Sequence, residues 1–153
     1  MPRLLPSAAE VREAAERLRG VAVRTPLRRS AALSELAGGD VYLKLESEQL
    51  TGSFKMRGAF NVLSQLTPEE RAQGVVASSA GNHGLGIAES AQRLGIAATI
   101  FVPSNAPDVK KQGIAQRGAR VTDEAADYDD AMVRAREFAR QANTTFVHPC
   151  LGV

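Results

Sequence analysis

The fold is decided by the stretch Val75-Val76-Ala77-Ser78-Ser79-Ala80-Gly81-Asn82-His83-Gly84-Leu85-Gly86-Ile87-Ala88. Its first five residues are short and rich in β-branched or small side chains, which predicts a buried strand at 75–79. A helix over about 82–94 follows, and Gly95 is its predicted stop. A strand that passes through a glycine-containing turn into a helix is typical of parallel α/β sheets.

The segments on both sides of this unit repeat the same alternation. Predicted strands lie at 41–46, 75–79, 98–102, 120–122 and 144–147, and predicted helices at 30–37, 54–66, 82–94, 107–117 and 128–141. Single helices between successive strands favour parallel pairing with right-handed crossovers. We therefore predict an α/β fold, a three-layer parallel sheet with helices on both faces.

Two further helix starts carry capping signals. Ser7 followed by Glu10, and Thr67 followed by Glu70, are both typical of a capping box. The first of these helices is expected to end before Gly20 and to present one apolar stripe, formed by Val11, Ala14, Ala15 and Leu18.

The composition is that of an ordinary globular protein. The 153 residues are 44% apolar and 24% charged, with a net charge of +2, which indicates neither disorder nor a basic stripe for nucleic acid. No apolar run approaches the roughly 20 residues that span a bilayer. The single Cys150 excludes an internal disulfide, and with two histidines it makes no convincing zinc site. We expect a cytoplasmic protein that binds neither nucleic acid nor membrane.

The segment Ser53-Phe54-Lys55-Met56-Arg57-Gly58 places a lysine just inside a predicted helix start. The positive end of the helix dipole and Arg57 both disfavour a further cation there, and this favours the neutral amine that Schiff-base chemistry requires. A lone lysine at a helix start is more often an ordinary solvated side chain. The position alone therefore assigns no role to Lys55.

The turn Ser79-Ala80-Gly81-Asn82-His83-Gly84-Leu85-Gly86 allows two interpretations. Its glycines could let a ligand approach the backbone, where the free amides of a helix start form an anion site. They could equally serve packing within a plain turn. The order of glycines, G-x-x-G-x-G, differs from the dinucleotide fingerprint, and no G-x-x-x-x-G-K-[ST] phosphate loop occurs.

Together, the two segments resemble the fold-type II pyridoxal-phosphate enzymes, the tryptophan synthase β-like family, and within it the threonine and serine dehydratases and serine racemase. The resemblance runs from Arg24-Thr25-Pro26-Leu27 to Phe146-Val147-His148-Pro149. It implies pyridoxal 5'-phosphate as the cofactor and an amino acid as the small-molecule substrate.

The resemblance also implies a role for individual residues. Lys55, in the S-F-K-x-R-G motif, would hold the cofactor covalently, Asn82 would lie beside its ring hydroxyl, and Phe54 would pack near it. The loop that includes Asn82 would hold the substrate carboxylate, through Ser79, Gly81 and His83. His148, Lys110 and Lys111 are interpreted as structural or solvated residues.

The implied reaction is β-elimination of L-serine or L-threonine to a 2-keto acid and ammonia. Gln49, Leu50 and His83 match the dehydratase and racemase branch of the family. Racemases resemble S-S-G-N-H, where the second serine is an acid/base, and this chain has Ala80 there, which favours elimination. A serine racemase, a hydroxyaspartate dehydratase and a non-catalytic remnant or binding module remain alternatives.

Members of the family are expected to be roughly twice as long as this chain, so it resembles an amino-terminal fragment. The implied domains are 1–55, a piece of a large domain; 56–145, a small α/β domain; and 146–153, the start of a truncated return to the large domain. No glycine-rich loop for the cofactor phosphate is visible, and Cys150-Leu151-Gly152-Val153 departs from the acidic continuation expected. A homo-oligomer is expected at full length.

Overall fold

The computed structural model describes residues 5–149. The predictions for residues 150–153, Cys150 included, concern a segment outside the described residues. The elements in chain order are α1 (Ala8–Arg17), β1 (Leu27–Arg29), α2 (Ala31–Ala37), β2 (Tyr42–Lys44), a 3-10 turn (Glu46–Glu48), α3 (Lys55–Leu63), α4 (Pro68–Gln73), β3 (Val75–Ser78), α5 (Asn82–Leu94), β4 (Ala98–Pro103), α6 (Asp108–Ala115), β5 (Arg120–Ala125), α7 (Tyr128–Ala142) and β6 (Thr145–Phe146).

Four of the strands form one parallel sheet in the order β5-β4-β3-β6. Successive side chains of a strand point to opposite faces, and the two faces are covered by different helices. Val75 and Ala77 pack with residues of α3, α5 and α6, whereas Val76 packs with Phe101 and α7. The predicted three-layer α/β fold is confirmed.

Helix α7 approaches the sheet through a stripe of small residues. Ala131, Ala135 and Ala139 are its buried residues, and their spacing of four places them on one face of the helix. Beside them, the rings of Phe138 and Phe101 lie with their centroids 5.6 Å apart. The small side chains therefore let α7 pack closely against this face of the sheet.

The capping signals are confirmed and fix the helix ends. Ser7 and Thr67 each take part in a complete capping box, and the Asp127 carboxylate accepts a hydrogen bond from the Asp130 amide. Gly38 and Gly95 end α2 and α5 in the left-handed conformation. The apolar stripe of α1, in contrast, covers no core: the helix has no buried residue.

The amino-terminal strands β1 and β2 form a separate two-stranded antiparallel sheet, an open hairpin whose connection contains helix α2. The sequence did not predict β1, because three residues, two of them arginines, show no alternation. The predicted strand at 41–46 contracts to β2. Leu27 and Tyr42 of the hairpin are 64% and 54% exposed.

The ends of β5 and α3 differ most from the prediction. Strand β5 continues past 122 to Ala125, because it is an outer strand of the sheet where exposed Asp123 and Glu124 are tolerated. Helix α3 starts one residue later than predicted, at Lys55, and ends at Leu63 rather than 66.

We predict that amide hydrogen exchange divides the chain in two. The amides of β3 and β4 are buried between two layers, so they should exchange roughly 10²-fold or more slowly than those of α1 and the hairpin. Mass spectrometry of the purified monomer measures this difference. Equal protection of the hairpin and the sheet in a monomer would contradict it.

Candidate functional site

A cleft of about 520 Å³ lies where the starts of α3 and α5 meet the end of β6. Its walls come from four parts of the chain. They are formed by Pro6, Phe54, Lys55, Gly58, Ala59, Asn61, Val62, His83, Val147, His148 and Pro149. The cleft therefore contains Phe54, Lys55 and His83 of the residues that the resemblance implies.

Lys55 is the first residue of α3 and is partly buried. Its Nζ atom donates a hydrogen bond to the Pro149 carbonyl oxygen at 3.3 Å and lies 5.4 Å from the centroid of the Phe54 ring. Phe54 itself is 60% exposed at the rim. The amine is thus held inside the cleft by a single backbone acceptor.

Arg57 does not act as a free positive charge beside Lys55, which corrects the sequence-based expectation. Its guanidinium donates to both carboxylate oxygens of Glu46, each at 2.8 Å. The hydrogen bond from Arg57 lowers the pKa of Glu46 to about 2, with a smaller contribution from Thr25. The two charges compensate each other, so Arg57 adds little net field at the amine.

His83 is a buried side chain of the cleft wall. Its Nε2 atom lies 3.4 Å from the Val147 carbonyl oxygen, which can only accept, so Nε2 carries the proton. Burial lowers the pKa of His83, and the positive charges of Lys55 and His148 act in the same direction, against the hydrogen bond to Val147. His83 is consequently a neutral imidazole at neutral pH.

The other three implied residues lie on the turn that leads into His83. The buried Ser79 side chain accepts a hydrogen bond from the Gly81 amide at 3.2 Å. Asn82 is exposed and is the first residue of α5, whose start has no side-chain cap. These three residues adjoin the cleft but do not line it. The uncapped start leaves backbone amides available to an anion.

The three glycines of this turn, Gly81, Gly84 and Gly86, differ in what surrounds them. A Cβ atom on Gly84 would lie 2.6 Å from the Ser79 carbonyl oxygen, and one on Gly86 would lie 3.2 Å from the backbone of Lys55 and Met56. Nothing lies within 4 Å of a Cβ atom on Gly81. Packing therefore explains Gly84 and Gly86, and only Gly81 leaves room for a ligand.

Sequence reasoning missed part of the cleft wall and the ion pairs of Lys111. His148 packs edge-on against Phe146, as a structural residue would, but it also lines the cleft. Asn61, six residues after Lys55 on α3, also lines the cleft. Lys111 is not simply solvated: it pairs with Asp108 and Asp123.

Two other kinds of site receive no support from the part of the chain that the structure describes. Within residues 5–149, no three metal-binding side chains come together. No helix in the same range is both long enough and apolar enough to cross a bilayer.

Comparison with known proteins decides the family. Residues 18–152 match the family described as pyridoxal-phosphate dependent enzymes. The chain belongs to this family. An L-threonine ammonia-lyase of Thermotoga maritima is 46% identical over 140 residues, which are 92% of this chain and 35% of that protein.

Two solved structures of this pyridoxal-phosphate family have the same fold. The processed form of threonine deaminase isoform 2 from Solanum lycopersicum aligns with a TM-score of 0.84 at 32% identity, over 94% of this chain and 41% of that one. Serine racemase from Dictyostelium discoideum aligns with a TM-score of 0.85 at 35% identity, over 92% and 46%. The chain thus spans less than half the length of these relatives.

The residues present fit the cofactor of this family. An aldehyde cofactor needs an amine within an enclosed space, and the Lys55 amine occupies the cleft. In the loop before it, the buried Thr51 and Ser53 hydroxyls have no hydrogen-bond partner. The only adjacent glycines, Gly38-Gly39, end helix α2 and are no phosphate loop.

We predict that Gly86→Ala destabilises the protein although alanine is the better helix former by about 1 kcal/mol. The added methyl group would lie 3.2 Å from backbone atoms of Lys55 and Met56, so the two helix starts would have to separate by a few tenths of an ångström. Overpacking of this kind costs roughly 1–3 kcal/mol. Chemical denaturation measures the free energy of unfolding.

Gly39→Ala is the matched control, since its Cβ atom meets nothing within 4 Å and its φ is not positive. It should change the free energy of unfolding by less than about 0.5 kcal/mol. A Gly86→Ala variant as stable as the wild type would show that the two helices are not in close backbone contact.

Proposed function

We propose that this chain carries the lysine side of the active site of an enzyme that converts L-threonine or L-serine to a 2-keto acid and ammonia. The observation that carries the proposal is the Lys55 amine inside the cleft, within the S-F-K-x-R-G segment of a pyridoxal-phosphate family member. The names of the similar proteins, an ammonia-lyase and a deaminase of threonine, support the substrate class.

Lys55 has two tasks in this proposal. Its amine would hold pyridoxal 5'-phosphate covalently, and the same amine would remove the proton from the substrate α-carbon. When bound, the cofactor supplies an electron sink that stabilises the negative charge at this carbon. The partial burial of the side chain limits the access of bulk water to the amine.

The turn before α5 holds the substrate in the proposed arrangement. The amides of Gly81 and His83 and the Ser79 side chain bind the substrate carboxylate at the uncapped helix start. Asn82 would contact the substrate and the cofactor ring hydroxyl, and Phe54 would pack near the cofactor at the rim.

Ala80 is the residue that favours elimination over racemisation. Racemisation needs a second acid/base on the opposite face of the α-carbon, and a methyl group can neither give nor take a proton. The serine racemase of Dictyostelium discoideum has the same fold, so the fold does not distinguish the two reactions. The side chain at position 80 does.

The surroundings of the reaction are part of the proposal. Residues 56–145 form a small domain, 1–55 belong to a large one, and 146–153 begin the return to it. The complete enzyme is a cytoplasmic homo-oligomer of amino-acid metabolism, such as isoleucine biosynthesis, and it does not bind nucleic acid.

We predict that pyridoxal phosphate, added to the purified chain and fixed by borohydride reduction, labels Lys55. The other lysines do not line the cleft. Lys44 donates to the Thr25 carbonyl, and Lys111 is ion-paired. Peptide mapping by mass spectrometry locates the label. Lys55→Arg should abolish it and Lys44→Arg should not.

The same experiment separates the proposal from the alternative of a non-catalytic module. A label found only on Lys44, Lys110 or Lys111 would refute the proposed role of Lys55. A chain that takes up no label at any lysine would support the non-catalytic alternative.

We predict that a chimera of this chain with the remaining length of the Thermotoga maritima enzyme eliminates far faster than it racemises. One missing acid/base group lowers the racemisation rate by a factor of roughly 10²–10⁴. Keto-acid release and chiral analysis of recovered L-serine measure the two rates. Ala80→Ser is the comparison and should raise racemisation, whereas equal rates in the unaltered chimera would contradict the argument.

A further inference from the structure

We infer that Arg57 and Glu46 are positioning residues, whose ion pair holds Lys55 on the cleft side of α3. The inference rests on the proposed function of Lys55 and names two residues that hold it in place. The pair is called the clamp below. Neither residue of the clamp lines the cleft.

Helix α3 begins without the usual local support. Phe54 occupies the cap position and makes no side-chain hydrogen bond to the helix, so the first turn lacks the interaction that normally fixes a helix start. The tertiary structure supplies the support instead. Gly86 lies against the Lys55 backbone, and Met56 is fully buried.

The clamp is the polar part of this support. The Arg57 guanidinium donates to both Glu46 oxygens and, at 3.0 Å, to the Val23 carbonyl oxygen. Thr25 donates to the same Glu46 carboxylate at 2.6 Å. The paired side chains are only 32% and 18% exposed, and a two-pronged guanidinium contact fixes direction as well as distance.

Helix geometry transmits this direction to Lys55. Residues two positions apart in an α-helix project roughly 200° apart around its axis. With Arg57 fixed toward Glu46 and Val23, the Lys55 side chain must leave the opposite side of α3. That side is the cleft wall, where Nζ meets the Pro149 carbonyl.

The clamp also closes the loop that presents the lysine. Glu46 and Arg57 stand at the two ends of this loop, which turns at Gly52 with a φ of +69°. Within it, Gln49 exchanges two hydrogen bonds with the Val23 backbone, at 2.9 and 3.0 Å. The loop is thereby tied to the segment before the hairpin, and a loop closed at both ends has less freedom to move the helix start.

The test compares Lys55 in the wild type with Glu46→Gln and Arg57→Lys. The first removes the negative charge, and the second keeps the positive charge but loses the two-pronged contact. Asp40→Asn is the matched control, because it breaks the exposed Arg29–Asp40 pair of the hairpin. Acetic anhydride at limiting concentration acetylates each lysine at a rate that mass spectrometry can follow, with no cofactor present.

In both clamp variants we expect Lys55 to be acetylated at least about threefold faster relative to Lys110, since the released side chain leaves the cleft more often. The rate of Lys111 acetylation relative to Lys110, which reports on the rest of the fold, should stay constant. Asp40→Asn should change neither ratio. In parallel, the share of borohydride-fixed pyridoxal phosphate found on Lys55 should fall in the clamp variants and not in the control.

Each outcome decides the matter. If the rate of Lys55 acetylation relative to Lys110 is unchanged in both folded clamp variants, the inference is wrong. It is also wrong if Arg57→Lys alone behaves like the wild type, because a positive charge without the two-pronged contact would then be sufficient. Should Glu46→Gln fail to fold, Thr25→Val removes one hydrogen bond to Glu46 and should give a smaller rise in the same direction. Cofactor fixed elsewhere than Lys55 in the wild type overturns the proposed function, while the acetylation ratios still judge the clamp.

Discussion

The contact between Gly86 and the backbone of Lys55 and Met56 is the constraint on which the site depends. It brings the first turn of α3 against the first turns of α5 with no side chain between them. Lys55 at the start of one helix and His83 near the start of the other therefore line one cleft. The Glu46 carboxylate, with a pKa of about 2, stays charged at every ordinary pH, so the support of α3 does not vary with physiological acidity.

Local signals sufficed for most of the fold and for the central residues of the cleft. Capping boxes at Ser7 and Thr67, and left-handed glycines at 38 and 95, act within a few residues, so the sequence displays them directly. Strand β1 was not predicted because its pairing partner, β2, follows only after helix α2. Its three residues are also too few to show an alternation of apolar and polar side chains. The Lys55 motif was recognised by resemblance, and its place in the cleft follows from the fold.

What the sequence could not provide is the identity of each residue's neighbour. Spacing shows that Gly81, Gly84 and Gly86 lie near a turn, but only the structure shows that backbone lies opposite two of them. The same limit explains why the role of Arg57 was predicted wrongly. Its positive charge was expected to disfavour a cation at Lys55, but it is paired with Glu46, eleven positions earlier in the chain. It also explains His148 and Pro149, which reach the cleft only because β6 pairs with β3.

The alanine stripe of α7 has a consequence for how the chain tolerates sequence change. A methyl group has no rotamers to lose on burial, so Ala131, Ala135 and Ala139 add no side-chain conformational entropy to the cost of folding. Substitution at these three positions is limited in both directions. A glycine weakens the helix, and a side chain larger than a methyl group would overpack the contact with Val76 and Phe101. The exposed face of α7 can consequently accept many substitutions, whereas its buried face accepts few.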